Sequence, residues 1–236
     1  RAAPIGNIVP GVRNDVLTAT GAADPGSLAE AIAARALDGR RAAYADEVRR
    51  LIDAAYAVMR ASGDIEPRVG DVVKAAGLSN QTFYRHFRGK DELLLAVLTD
   101  GRRRLLATLT ARMARADDGA PRVAAWIRGV MAQARNPEAA ANTRPFAVAG
   151  ARIADRFPLE WAASHEALVA PLRDALAAAG GDPARDADCV YDLTFGAMER
   201  AVVRREAPSP RDVDDLIAFA LRGVERNPEG GTRGRV

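Results

Sequence analysis

Cysteine is nearly absent from this chain. Cys189 is the only one, so no internal disulfide can form, and a lone thiol points to a reducing compartment. Histidine is almost as scarce, with only His86 and His165. No HExxH, GxSxG or P-loop pattern and no Cys/His metal spacing occurs, so an enzyme has little support and no cofactor or metal is expected. No apolar run reaches the roughly 20 residues that span a bilayer. The segment from Arg1 to Gly11 has no sustained apolar core, so no signal peptide is expected and the location is read as cytoplasmic. Aromatic residues make up 5% of the chain, and neither strand-like alternation nor an internal repeat is found.

What is present favours helix. Alanine dominates the apolar residues and loses least conformational freedom on entering a helix. Residues 1–43 are punctuated by Pro4, Gly6, Pro10, Gly11, Gly21, Pro25 and Gly26, so this arm is expected to be largely loop. One short helix is possible from Ser27 to Leu37, with Ser27 and Glu30 at capping-box spacing. From Tyr44 onward Val48, Leu51, Ile52, Ala55 and Met59 recur at spacings of three and four, which predicts an amphipathic helix stopped at Ser62-Gly63. A second, short helix over Val69 to Ala76 is closed by Gly77, and a third carries Phe83 and Phe87. A long fourth helix begins after Gly89 and runs to about Met113. Further helices are expected at about 121–134, 159–179, 183–205 and 213–224, with Asn136-Pro137 and Pro145 breaking the stretch between the first two. The tail from Asn227 is rich in glycine and arginine.

The segment from Val69 to Ser79 reads as helix, tight turn and a new helix start. Gly77 can take the left-handed conformation, and Ser79 can accept a hydrogen bond from the free backbone N–H groups that follow. Two short helices joined so tightly cross steeply, as in a helix-turn-helix whose second helix enters a DNA major groove. On that second helix Phe83 and Phe87 point to one side, Gln81 and Arg85 to the other, and Thr82 and Tyr84 to the flanks. An amide and a guanidinium on an open face can read base edges, Gln pairing with adenine and Arg with guanine.

Charge supports this placing. Net charge is only +3, and residues 41–104, with 12 basic and 9 acidic groups, hold the whole excess. Between Asp71 and Asp91 no acid occurs, while Lys74, Arg85, Arg88 and Lys90 all lie there. A small focused cationic patch suits a local anionic partner better than an architectural protein, whose charge would be high and spread. Lys90, at the start of a helix, can add its cation to the free backbone N–H groups there to hold a phosphate, whereas Lys74 is expected to be solvated.

The run from Val69 to Leu93, with Ala75-Ala76-Gly77-Leu78-Ser79, Thr82-Phe83-Tyr84-Arg85-His86-Phe87 and Lys90-Asp91-Glu92-Leu93, closely resembles the DNA-binding signature of the TetR family of bacterial transcriptional regulators. The resemblance covers about 25 residues, or about 50 with the preceding helix. It implies that Tyr84, His86 and Lys90 lie near phosphates, and that Ser79, Asn80, Gln81, Thr82 and Arg85 lie near bases or their flanking backbone. Arg68 stands where the family usually has a threonine that contacts backbone, Val73 replaces a small residue, and Gly70 weakens the second helix.

The expected fold class is therefore all-α. An N-terminal extension (1–43) precedes a three-helix helix-turn-helix DNA-binding domain (44–91), a larger helical ligand-binding and dimerisation domain (92–226) and a flexible tail (227–236). The resemblance implies a repressor that binds double-stranded palindromic operator DNA as a homodimer and is released by a small hydrophobic or amphipathic effector. Stripes of small and apolar residues on the last two helices offer a four-helix dimer interface, with inward packing as the alternative: Ala187, Cys189, Val190, Leu193, Gly196, Ala197 and Ala201 on one, Leu216, Ile217, Ala220, Leu221 and Val224 on the other. Trp126, Met131, Phe146, Trp161, His165, Tyr191 and Phe195 are the candidate pocket side chains, since such sites are mostly apolar with a few polar groups.

Overall fold

The computed structural model describes residues 25–225. The chain divides into two compact units, Arg1–Asp46 and Glu47–Val236. Among the described residues there are nine helices and no strand. None of these helices is long and apolar enough to cross a membrane.

The first helix, α1 (Pro25–Ser62), corrects one expectation. Residues 25–43 are helical throughout, so the short helix expected from Ser27 to Leu37 extends at both ends and runs on into the next one, where loop was expected. After Gly26 the only helix breaker before Gly63 is Gly39, whose cost of about 1 kcal/mol is small against a long alanine-rich run. In the first unit Leu28, Ile32 and Leu37 on this helix are more than half exposed. The rest of the predicted extension, and the tail, lie outside the described residues.

The second unit holds two apolar cores. In the smaller, Leu51, Ala55 and Met59 of α1 pack with Val72 and Val73 of α2 (Val69–Ala76) and Phe83 of α3 (Asn80–His86). Leu93, Leu94 and Val97 of α4 (Lys90–Met113) complete it, together with Ile153. The larger core centres on Trp126, Ile127 and Val130 of α5 (Ala120–Arg135), with Leu168 and Leu172 of α7 (Pro158–Ala178). Val190 and Met198 of α8 (Pro183–Arg204) and Val213 and Ile217 of α9 (Pro210–Glu225) close that core. Helix α4 enters both: its first turns serve the small core, and Leu109 and Met113 the large one. Helix α6 (Pro137–Arg156) also bridges, sending Ile153 into the small core.

Pro145 was expected to interrupt the chain, yet α6 runs through it. Asn136 caps this helix, its Oδ1 accepting from the N–H groups of Glu138 and Ala139 at 3.0 Å each. Beside the proline, Arg144 Nε donates to the Val202 carbonyl of α8 at 2.9 Å. These anchors, both on the N-terminal side of Pro145, offset the one backbone hydrogen bond that a buried proline removes. Part of the expected dimer stripe also turns inward: Ile217, Ala220 and Val224 of α9 are buried in this chain's own core, as are Ala187 and Val190 of α8.

Candidate functional site

Helices α2 and α3 meet at a turn fixed by three local devices. Gly77 takes a left-handed conformation (φ 63°), so its N–H can reach Lys74 O and that of Leu78 can reach Val73 O at 2.9 Å. Ser79 caps α3, its Oγ accepting from Thr82 N at 3.1 Å and lying 3.0 Å from Thr82 Oγ1. From α1, Arg50 reaches across and donates to the Ala76 carbonyl at 2.6 Å and to that of Gly77 at 3.3 Å. The turn is thus held from within and from outside.

The faces of α3 are sharply divided. Phe83 and Phe87 are buried, their ring centres 5.5 Å apart. On the far side Asn80, Gln81 and Arg85 are exposed, and Tyr84 is 62% exposed with its ring edge-on to Phe83. Ser79 is exposed ahead of them and Thr82 is half-buried. Arg68, at the cap of α2, and Lys90, the first residue of α4, are exposed at either end of this segment. The result is an open row of donors on a helix that cannot roll, because two aromatic rings anchor it.

Two carboxylates organise the cations behind this row. Glu47 of α1 accepts from Arg85 Nη2 at 2.7 Å and faces His86 Nε2 at 2.6 Å. The His86 side chain has no exposed surface. The ring that was expected near a phosphate is thus packed against Glu47 with no open surface. Glu66 accepts from Lys90 Nζ at 2.6 Å and from Arg156 Nη1 at 3.4 Å, and Arg156 also pairs with Asp91. Hydrogen bonds from His86 and then Arg85 hold the Glu47 carboxyl below the usual carboxylate range, and Lys90 does the same for Glu66.

A group whose folded pKa is depressed stabilises the fold above its unfolded pKa, and that stabilisation is lost as pH falls through the lower folded value. The melting temperature is therefore expected to fall as pH drops below the ordinary glutamate value of 4.5. Replacing both Glu47 and Glu66 by glutamine should flatten that part of a melting-temperature profile. A double variant with the wild-type slope there would contradict it.

A cavity of about 440 Å³ lies between the two cores, walled by α1, α4, α5, α6, α7 and α8. Phe146, Trp161 and Phe195 line it. The other four candidates are placed elsewhere. Trp126 is fully buried and donates to the Leu168 carbonyl at 3.1 Å, and Met131 is core. Tyr191 is buried behind the wall, stacked on Phe195 at 4.2 Å, with His165 edge-on at 4.3 Å. The polar wall includes Tyr56, Arg102, Asn142 and Glu199. Tyr56 donates to the Val97 carbonyl at 2.8 Å, and burial pushes its hydroxyl up to about 12. Helix α4 has a glycine at its side: a Cβ on Gly101 would sit 2.6 Å from that hydroxyl.

Residues 51–97 match the family described as bacterial regulatory proteins, tetR family. Over that segment the chain is similar to the tetR family. Its fold agrees. A TetR-family transcriptional regulator from Streptomyces coelicolor is 25% identical, with 78% of this chain and 91% of that one covered and a TM-score of 0.55. The fatty acid degradation regulator FadR from Bacillus halodurans is 18% identical over 80% of this chain and 97% of its own, at a TM-score of 0.59. A TetR family transcription regulator from Marinobacter aquaeolei VT8 is 17% identical over 78% and 98%, at 0.55. No curated protein matches the sequence.

Eight of the nine expected DNA-contact residues are at least partly exposed around α3 and its flanks; His86 alone has a fully buried side chain. Sequence reasoning missed Arg50, Glu47 and Glu66, which position the turn and the cations from 24 to 39 residues away. It also missed Arg102, which stands in an Arg102-Arg103-Arg104 run that looks like a solvated face.

Proposed function

We propose that this chain is a homodimeric, sequence-specific DNA-binding repressor, released from a palindromic operator by a small hydrophobic or amphipathic effector. The observation that carries this reading is the open face of α3, where Gln81, Tyr84 and Arg85 project from a helix anchored by the buried Phe83 and Phe87. Gln81 and Arg85 read base edges; Arg68, Tyr84 and Lys90 meet phosphates; Ser79, Asn80 and Thr82 set the register between them. One recognition helix gives weak affinity, so two copies engage half-sites about 34–36 Å apart. The pairing surface is the outer side of α8 and α9, where Val203 is 46% and Phe219 62% exposed. A regulator of this kind works where the DNA is, in the cytoplasm. The cavity at the junction of the two cores, with Phe146, Trp161 and Phe195 on its wall, holds the effector.

Selection from a random duplex pool, followed by salt titration of the winner against a scrambled duplex, tests the reading. An enriched palindrome with strong preference over the scramble is expected; equal affinity for both would sink it. Against the selected site, Arg85→Ala should cost about 1–3 kcal/mol and relax specificity at one base pair of each half-site, whereas Lys90→Ala should weaken all sequences alike and lower the salt slope by about one. Quantitative shift assays at several salt concentrations separate the two. Equal losses on operator and scramble for Arg85→Ala would remove its base-reading role.

A further inference from the structure

The cavity wall holds a cation without an acid to match it. The Arg102 guanidinium lies over the Trp161 ring, its Cζ 4.0 Å from the centroid. Its Nη1 is buried without a hydrogen-bond partner, and among the described residues Arg102 forms no ion pair. The Tyr191 hydroxyl and, at longer range, the Glu199 carboxylate act on it, but burial dominates and pulls the guanidinium below the usual arginine range. Elsewhere on the wall Arg104 pairs with Asp53 at 3.2 Å and with Asp100 at 2.6 Å, whereas Glu199 acts on Arg102 only at longer range and burial raises its carboxyl above the usual carboxylate range. A second orphan stands on the α6 side, where Asn142 Oδ1 is buried without a donor.

A buried guanidinium is costly unless a partner is supplied, and its planar fork is shaped for a carboxylate held by two parallel hydrogen bonds. A buried amide oxygen calls for a donor. The rings of Phe146, Trp161 and Phe195 line the same cavity. We infer that the cavity takes a small aromatic carboxylic acid that also carries a hydroxyl or N–H group, its carboxylate on Arg102 and its donor on Asn142. This rests on the effector reading above and names the chemistry of that effector. A volume of about 440 Å³ suits a two-ring acid, since pockets for such molecules run from roughly 300 Å³ upward.

The test uses the full chain without DNA and three isosteric probes in calorimetry: 6-hydroxy-2-naphthoate, its neutral carboxamide and the corresponding cationic aminomethyl compound. The acid should bind at least ~10-fold more tightly than the amide, the margin expected of a charge-assisted hydrogen bond. Arg102→Met should remove that preference while amide affinity stays within about threefold, which also shows that the cavity is intact. Asn142→Leu should weaken the hydroxy acid but not 2-naphthoate. An amide or cation that binds as well as the acid, an acid preference that survives Arg102→Met, or no saturable binding by any probe would each overturn the inference. Operator release is measured separately: an acid that binds through Arg102 without releasing DNA leaves the cavity chemistry standing and removes the effector mechanism instead.

Discussion

Phe83→Ala is expected to abolish operator binding. The ring is fully buried in the smaller core, against Phe87 at 5.5 Å and edge-on to Tyr84 at 5.2 Å. Helix α3 has seven residues, too few to persist in water without tertiary support. Its orientation rests on Phe83 and Phe87 below and on the Ser79 cap at its start. Truncating a buried phenylalanine to alanine costs about 3–5 kcal/mol, a large part of the 5–15 kcal/mol that stabilises a typical domain. The loss falls on the small core, so α3 should fray before the larger core melts. The variant should therefore show an early, separate unfolding step in a urea titration, and its operator affinity should drop to the level of a scrambled duplex. Phe83→Leu, which keeps most of the volume, should retain specific binding with a smaller loss of stability. Wild-type operator affinity in Phe83→Ala would refute the claim that this ring fixes the reading helix.

The helix-turn-helix was legible in the sequence because its signals are local. Gly77, Ser79, Phe83 and Phe87 lie within eleven consecutive residues, and each acts through its own backbone conformation or its helical phase. Signals of the same kind located the boundaries of α5, α8 and α9 to within a few residues. Long-range features were not legible. Nothing in the pattern says that Glu47 faces Arg85 and His86 across 38 and 39 residues, or that the His86 ring packs inward. Pro145 was read by its usual local effect, which the Asn136 cap and the Arg144 hydrogen bond to α8 outweigh. Size finds aromatic residues but does not separate those on a wall, such as Phe146, from those wholly within the core, such as Trp126. The apolar stripe of α9 was ambiguous from the start, since a helix facing its own core and one facing a partner show the same period.

The second large effect concerns communication between cavity and DNA. Helix α6 touches both. Asn142 and Phe146 line the cavity, Ile153 is 1% exposed within the smaller core, and Arg156 at the last turn pairs with Asp91 and Glu66. Glu66 in turn holds Lys90, a proposed phosphate contact. A ligand that shifts α6 therefore acts on the core under α3 and on the cation at the foot of α4 together, a contiguous physical link between the two sites. Coupling of this kind is typically worth 1–3 kcal/mol, seen as about a 5- to 150-fold weakening of operator affinity on saturation with effector. Ile153→Ala should cost about 2–5 kcal/mol of stability by opening a hole between α6 and the small core, and should reduce that weakening toward onefold. Arg156→Ala, whose ion pairs are partly solvated, should cost less than about 1 kcal/mol of stability and still lower the coupling. In both variants the effector should bind the DNA-free protein nearly as well as before, because neither side chain lines the cavity. Operator titrations with and without saturating ligand give the coupling directly, and calorimetry gives ligand affinity. If both variants release DNA as completely as the wild type, the signal does not travel through α6, and the remaining route is α4, which runs from the cavity wall at Arg102 to Lys90.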